Sequence, residues 1–424
     1  MTKGGHRCHA SLPFLRLRSV ILAAVLIGSA SQQKQPVFTA AAAATSPAGR
    51  NLRRRRHRRA LQLYHQQPQA QAQPQSQLQH QPQVTVDTSS TSFRCPEPSF
   101  APFELGVEQG LVDSAILGEA SGLVASAINP GILWTHNDMG YQRLGHEPSS
   151  TIIASRDDGT IVGKYHLEGA ESLDYEDIAA GSGPVEGRHY LYVGDIGAAR
   201  GHRSSIVVYR VPEPITSGND VDVNVGGAGP HSGSVSTLSA AAAAATAATT
   251  TTTTKTINYD GSISLTEWDA LTLTYPDTYQ HNAESLMYDP LTHHLYMISR
   301  DDGSIWRTER VWSEEGDATM NLVRVGTKKS QGKRPVTGAD VSRDGREVLV
   351  KHYASILYYC REPGEDLGMI LSTREGIKVP YKREIRGESV AFAAQRELGY
   401  YTLSESGGEA REVPLYRYNR VPER

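Results

Sequence analysis

Cysteine is nearly missing from this chain: three among 424 residues, with no Cys-x-x-Cys and no Cys/His spacing of the kind that closes a structural zinc cage. Net charge is nearly missing too. A formal value of −3 gives no global pull toward nucleic acid or anionic membrane. There is no Gly-x-Ser-x-Gly elbow, which removes the nucleophile of the α/β-hydrolases. Beyond the first 31 residues no stretch carries helical periodicity, which argues against a helical or α/β protein. A chain this long holds two or three average domains or one large all-β domain.

What is present begins with a secretory pattern. Lys3, Arg7, Arg16 and Arg18 precede the apolar run Ser19–Ile27, and Gly28-Ser29-Ala30 supplies small residues for cleavage near Ala30. The run is too short to span a membrane comfortably. Residues 1–31 are therefore read as a signal peptide, with an uncleaved anchor or an organelle-targeting signal as the alternative. The expected location is outside the cell or in the endomembrane lumen. Residues 32–93 are low in complexity: an Ala run (Ala40–Ala44), a basic run (Arg53–Arg59) and a Gln/Pro tract (Gln66–Gln83). Such sequence buries too little apolar area to offset its ordering entropy and is read as disordered. A second biased tract, 216–256, holds Ala240–Ala245 and Thr249–Thr254 and is read as a loop expansion inside a folded domain at 94–424. Cys8 falls in the signal, which leaves Cys95 and Cys360. These two either pair or remain one buried and one exposed thiol, and sequence alone does not choose.

Between the biased tracts, short runs rich in Tyr, Val, Ile and Leu are punctuated by Gly, Pro, Asp and Asn, as strands and tight turns are. They group into units, each opening on an acidic residue: Glu119, Glu176, Glu284, Asp340 and Glu388. With the insert removed, the starts recur about every 50 residues, four strands to a unit, which is the signature of a β-propeller. The last unit lacks its fourth strand. Phe103–Val112, ahead of the first unit, is the spare strand that completes it and removes the open edge. Five blades closed by this N-terminal strand are the expected architecture. Six blades, or two packed sandwiches, are the alternatives.

The residues Glu119-Ala120-Ser121-Gly122-Leu123, Trp134-Thr135-His136-Asn137-Asp138, Glu176-Asp177-Ile178-Ala179 and Tyr190-Leu191-Tyr192-Val193-Gly194-Asp195 carry a likeness. So do Val208-Tyr209-Arg210-Val211-Pro212 and Gly387-Glu388-Ser389-Val390-Ala391-Phe392. From Gly118 onward the chain resembles an uncharacterised, mostly bacterial family of WD40-like or SMP-30-like β-propeller proteins. The resemblance implies a propeller and no particular reaction.

In a propeller the first strand of each blade lines the central tunnel, so its start opens on one face. Glu119, Glu176, Glu284, Asp340 and Glu388 are thereby predicted to converge on one mouth, with Asp138 and Asp195 joining from the ends of second strands. Aligned on the apolar residue that follows, Asp340 matches Asp177 and not the glutamates, so one blade is expected to differ. Carboxylates crowded on an axis repel one another unless a cation neutralises them. An all-oxygen set without Cys favours Ca2+ or Mg2+, with His136 keeping Mn2+ or Zn2+ as minor options. His136, Asn137 and Arg300 are the candidate ligand contacts. A purely structural role, bonding backbone N–H groups of the next blade, is the competing account of each acid. The expected function is a secreted, monomeric binding propeller for a glycan or protein, with no nucleic-acid partner. A metal-dependent hydrolase of lactones, esters or phosphates is the alternative, and Arg300, Lys351 and His352 are its only anion contacts.

Overall fold

Burial separates two kinds of strand. Ile161–Leu167 (β5) buries alternate residues, as a strand with one solvated face does. Ala120–Ala125 (β2), Ala283–Tyr288 (β11) and Val336–Val341 (β15) bury every residue, so both their faces are covered. The computed structural model describes residues 95–96, 102–138, 150–198, 203–216, 256–258, 260–279, 281–329, 335–407 and 412–422. The expected signal peptide, the leader and all but the ends of the insert lie outside these.

Largely buried strands form the inner ring of an all-β propeller. β2, Tyr175–Ser182 (β6), β11, β15 and Arg386–Phe392 (β19) neighbour one another in that order, and β19 returns to β2. From β2 the sheet runs outward through Ile132–Asn137 (β3), Thr151–Arg156 (β4) and β5. From β6 it runs through His189–Asp195 (β7), Ile206–Pro212 (β8) and Asp269–Thr274 (β10), and from β11 through Leu295–Ser299 (β12), Ser304–Thr308 (β13) and Ala318–Thr327 (β14). From β15 it runs through Glu347–His352 (β16), Ser355–Cys360 (β17) and Ile377–Val379 (β18). From β19 it runs through Tyr400–Glu405 (β20) and Val413–Tyr418 (β21) to Val107–Val112 (β1). The last pairing is antiparallel, from Val107 opposite Arg417 to Val112 opposite Val413. The N-terminal strand thus closes the ring at the place the sequence predicts.

Five apolar clusters fill the spaces between successive sheets. Trp134, Tyr165 and Ile178 lie between the β2 and β6 sheets, and Leu286, Trp306 and Trp312 lie with Tyr192 between those of β6 and β11. Tyr296, Val350 and Leu371 join the β11 and β15 sheets, Tyr358 and Tyr400 those of β15 and β19, and Leu133 and Leu403 those of β19 and β2. Each fully buried large apolar side chain contributes about 1.5–3 kcal/mol.

Two elements have no counterpart in the sequence reading. Ile263–Leu265 (β9) adds a parallel fifth strand to β5, and β10 pairs in parallel with β14, fusing two sheets along their outer edges. Leu367–Thr373 (α1) is a short helix before β18, capped by the Asp366 side chain, which accepts from Met369 N at 2.9 Å. The cysteines do pair: Cys95 and Cys360 form a disulfide across 265 residues, tying the segment ahead of β1 to the end of β17.

Candidate functional site: an acidic tunnel mouth

The inner strands begin with a common irregularity. The register with the second strand shifts between Tyr175 and Asp177, between Ala283 and Ser285, between Val336 and Gly338, and between Gly387 and Ser389. The extra residues are Glu176, Glu284, Thr337 and Glu388. A bulge re-aims the side chain it carries, so three glutamates take equivalent places at one end of the tunnel. In β2 the shift spans Ser121 and Gly122, so that strand brings no acid at this position.

Around Glu176 the acids crowd closely. Carboxylate oxygens of Asp138, Asp174 and Glu176 all lie within 4.8 Å of one another. Burial pushes Glu176 well above the usual carboxylate range, and Glu284, Asp138, Asp174 and Glu388 push it further. Glu388 is raised by burial and then by Glu405 and Glu284. Glu284 is raised by burial against the downward pull of Arg300.

The second-strand ends and loops fix this group in place. Asp195 Oδ1 accepts the backbone N–H of Asp174 at 2.8 Å and a bond from Arg203 Nη1 at 2.9 Å, so Asp195 positions Asp174 and is itself committed. Gly197 packs against the Asp174 and Glu176 carboxylates so closely that a β-carbon there would overlap both. On the other side of the mouth a chain of bonds spans three sheets. Asn282 Nδ2 and Arg300 Nη1 donate to Glu284 Oε1 at 3.0 and 2.7 Å, Arg300 Nη2 donates to the Tyr353 hydroxyl, and that hydroxyl donates to Glu388 Oε1 at 2.9 Å. Arg386 Nη1 donates to Glu405 Oε2 at 3.0 Å.

The sequence candidates divide accordingly. Asp138, Glu176, Glu284 and Glu388 are brought to one mouth. Glu119 stands just ahead of β2, where its carbonyl accepts Asp138 N at 2.8 Å and its charge acts on Arg386. Asp340 lies three residues beyond Thr337, the position equivalent to the glutamates, and its carboxylate accepts Val341 N at 2.8 Å and Phe392 N at 2.7 Å. It serves the junction with β19, and Asp177 does the same for Leu286 N at 2.9 Å and Ala339 N at 3.3 Å. His136 is buried against the β2–β6 junction, where burial lowers its pKa to about 4 and keeps the ring neutral. Asn137 bonds Glu119 N and the Ile116 carbonyl. Asp174 and Tyr353 are the mouth residues the repeat pattern did not single out; Glu405 ends the second strand β20, the place Asp195 holds in β7. Asp174 was readable as the residue two before Glu176. Tyr353 stands in the turn between β16 and β17, where no repeat position marks it.

No family model matches this chain, and no curated protein does. Among solved structures, a luciferin-regenerating enzyme is similar at 12% identity and TM-score 0.33, covering 73% of this chain and 95% of that one. U3-55K is similar at 10% and 0.31, over 70% and 67% of the two chains. Atg21 in complex with the coiled coil of Atg16 is similar at 9% and 0.29, over 72% and 71%. Likenesses this weak add nothing to the strand pairing on which the fold rests.

Proposed function

We propose that the chain is a secreted, monomeric propeller of five blades that binds a glycan or protein ligand at its acidic mouth through a divalent cation, Ca2+ or Mg2+. The observation that carries this is the trio Asp138, Asp174 and Glu176, with ligand oxygens within 4.8 Å of one another. Burial and the neighbouring carboxylates push Glu176 toward its neutral form, and a divalent cation among the three would reverse that preference. The space kept clear by Gly197 and the pinning of Asp174 by Asp195 are consistent with oxygen ligands held ready for a hard cation. Glu284 and Glu388, tied to Arg300 and Tyr353, form the opposite wall. A ligand hydroxyl or carbonyl reaching the cation would meet them there.

Secretion is supported by the Cys95–Cys360 disulfide, since such bonds persist in oxidising compartments. Among the described residues no helix is long and apolar enough to cross a membrane.

The hydrolase alternative is less well supported. Each of its expected anion contacts is engaged within the fold: Arg300 by Glu284 and Tyr353, Lys351 by Glu384 at 3.1 Å, and His352 by the Pro335 carbonyl and Lys328.

Thermal unfolding in Ca2+ and in EDTA tests the cation site. At a concentration about 100 times its Kd, a cation adds roughly 2.7 kcal/mol. Identical melts for the wild type in both buffers sink the proposal. A gain that survives unchanged in Asp174→Asn moves the cation elsewhere. Lactone, ester and phosphate substrates, run on wild type and Glu176→Gln, separate binding from hydrolysis.

A further inference from the structure

A cavity of about 200 Å³ opens at the far end of β6, away from Glu176. It lies between the β6 and β11 sheets, and its aromatic walls are Tyr192, Tyr288 and Trp312. Tyr192 and Tyr288 stack with centroids 5.3 Å apart, and Trp312 meets Tyr192 edge-on at 6.4 Å. The polar edge is made by Ser182, His293 and Thr308. Tyr288 Oη lies 2.6 Å from His293 Nδ1, Ser182 Oγ lies 3.3 Å from the same nitrogen, and the two hydroxyls bond each other. Hydroxyls and an imidazole linked in this way can present both donors and acceptors.

Two features are unexplained by folding alone. The turn between β11 and β12 places His293 at φ 59°, a conformation that glycine adopts without cost and other residues do not. The side chain held there completes the cavity's hydrogen-bonding edge. Trp312 is 5% exposed, yet its indole Nε1 finds no acceptor among the described residues. A buried donor without a partner is unfavourable, and a small shift of the indole, which lines the cavity, would let a ligand oxygen satisfy it.

We propose that this cavity binds a single neutral sugar ring. An aromatic wall beside mixed donors and acceptors suits the apolar face and hydroxyl rim of a pyranose. Among the described residues no Asp, Glu, Lys or Arg lines the cavity, so none of them recognises a charged group there. Its volume is below the roughly 300–1,000 Å³ of pockets for larger ligands, which limits the occupant to one ring. A neighbouring cavity of about 320 Å³ shares Ser182 and Tyr288, giving an attached residue room to continue toward the tunnel axis. The site is independent of the acidic mouth, because Ser182 and Tyr288 end the inner strands that Glu176 and Glu284 begin.

The full chain, in Ca2+ and separately in EDTA, is titrated with methyl glucoside, methyl galactoside and methyl N-acetylglucosaminide. Saturation-transfer NMR and tryptophan fluorescence are the readouts. At least one neutral glycoside is expected to saturate in both buffers. Trp312→Phe keeps an aromatic ring and removes the N–H, and is expected to weaken binding about fivefold, the worth of one neutral hydrogen bond. His293→Gly relieves the backbone and removes the imidazole, so weaker binding at an unchanged or raised Tm excludes misfolding as the cause. The proposal is overturned if none of the three saturates. It is also overturned if both variants bind as the wild type does, or if glucuronate, glucosamine or p-cresol binds more tightly than the neutral sugars.

Discussion

Gly197 lies against the carboxylate of Glu176 so closely that a β-carbon at position 197 would overlap Oε1. The same carbon would overlap Asp174 Oδ2. The obstructing atoms are the ends of side chains, which can swing aside, so Gly197→Ala is expected to fold. It would do so by displacing two of the three oxygens offered to a cation. The expected result is a Tm in EDTA close to wild type and loss of most of the gain that Ca2+ gives the wild type. Paired melts of the two proteins check this, and an undiminished gain in the variant removes the trio as the cation site.

Asp177 is a structural acid beside the acids of the mouth. Its carboxylate accepts Ile178 N at 2.9 Å, Leu286 N at 2.9 Å and Ala339 N at 3.3 Å, so one side chain joins three inner strands. Asp177→Ala leaves buried N–H groups without an acceptor, each costing about 1–3 kcal/mol. A total loss of roughly 3–5 kcal/mol is expected, with Asp177→Asn losing less because its amide oxygen still accepts. Urea unfolding of the two variants measures the difference, and equal losses would mean that the bonds to Leu286 and Ala339 contribute little.

The ring order of the strands was legible because each unit repeats an acid, an apolar strand and a turn, and because the last unit was one strand short. The acids themselves were harder to sort. Glu176, Glu284 and Glu388 share a bulge, and Asp340 is displaced from it by three residues, a distinction that rests on cross-strand register and not on residue type. Spacing gave the right warning at Ala339-Asp340 but could not place Thr337 opposite the glutamates. Asp195 matches a motif as strongly as Asp138 does, yet it bonds backbone and Arg203, because a carboxylate at a strand end can turn either way. The Cys95–Cys360 pairing and the three residues of β9 depend on contacts between distant segments, which local pattern does not encode.

The disulfide constrains a long stretch of chain. Cys95 lies ahead of β1, the strand that closes the ring, and Cys360 ends β17 in the β15 sheet. Cross-linking across 265 residues removes much unfolded-state freedom, and loss of such a native bond costs about 2–5 kcal/mol. The double variant Cys95→Ser/Cys360→Ser is expected to melt lower by that amount with its strand content intact. Calorimetry with circular dichroism checks it. A wild-type Tm would show that β1 holds its place by pairing with β21 alone.

Asp340 gives the protein a pH response of definite sign. It is buried, and burial raises its pKa from 3.8 to about 7 against the opposing bonds from Phe392 N and Val341 N and the charge of Arg343. A carboxyl with a raised folded-state pKa binds more protons folded than unfolded. Its contribution is therefore fully present below about pH 4 and is lost as pH rises through 7. Each tenfold change in proton affinity corresponds to roughly 1.4 kcal/mol, so the loss across that window is on the order of 2–4 kcal/mol. The raised mouth carboxylates Glu176 and Glu388 change stability in the same direction, so the wild type alone cannot isolate Asp340. Asp340→Asn can, because the amide does not titrate and lies far from the mouth. Urea midpoints taken in EDTA from pH 4 to pH 8 are expected to fall more steeply for the wild type than for Asp340→Asn. Parallel slopes would mean that Asp340 ionises in the folded protein as easily as in the unfolded chain.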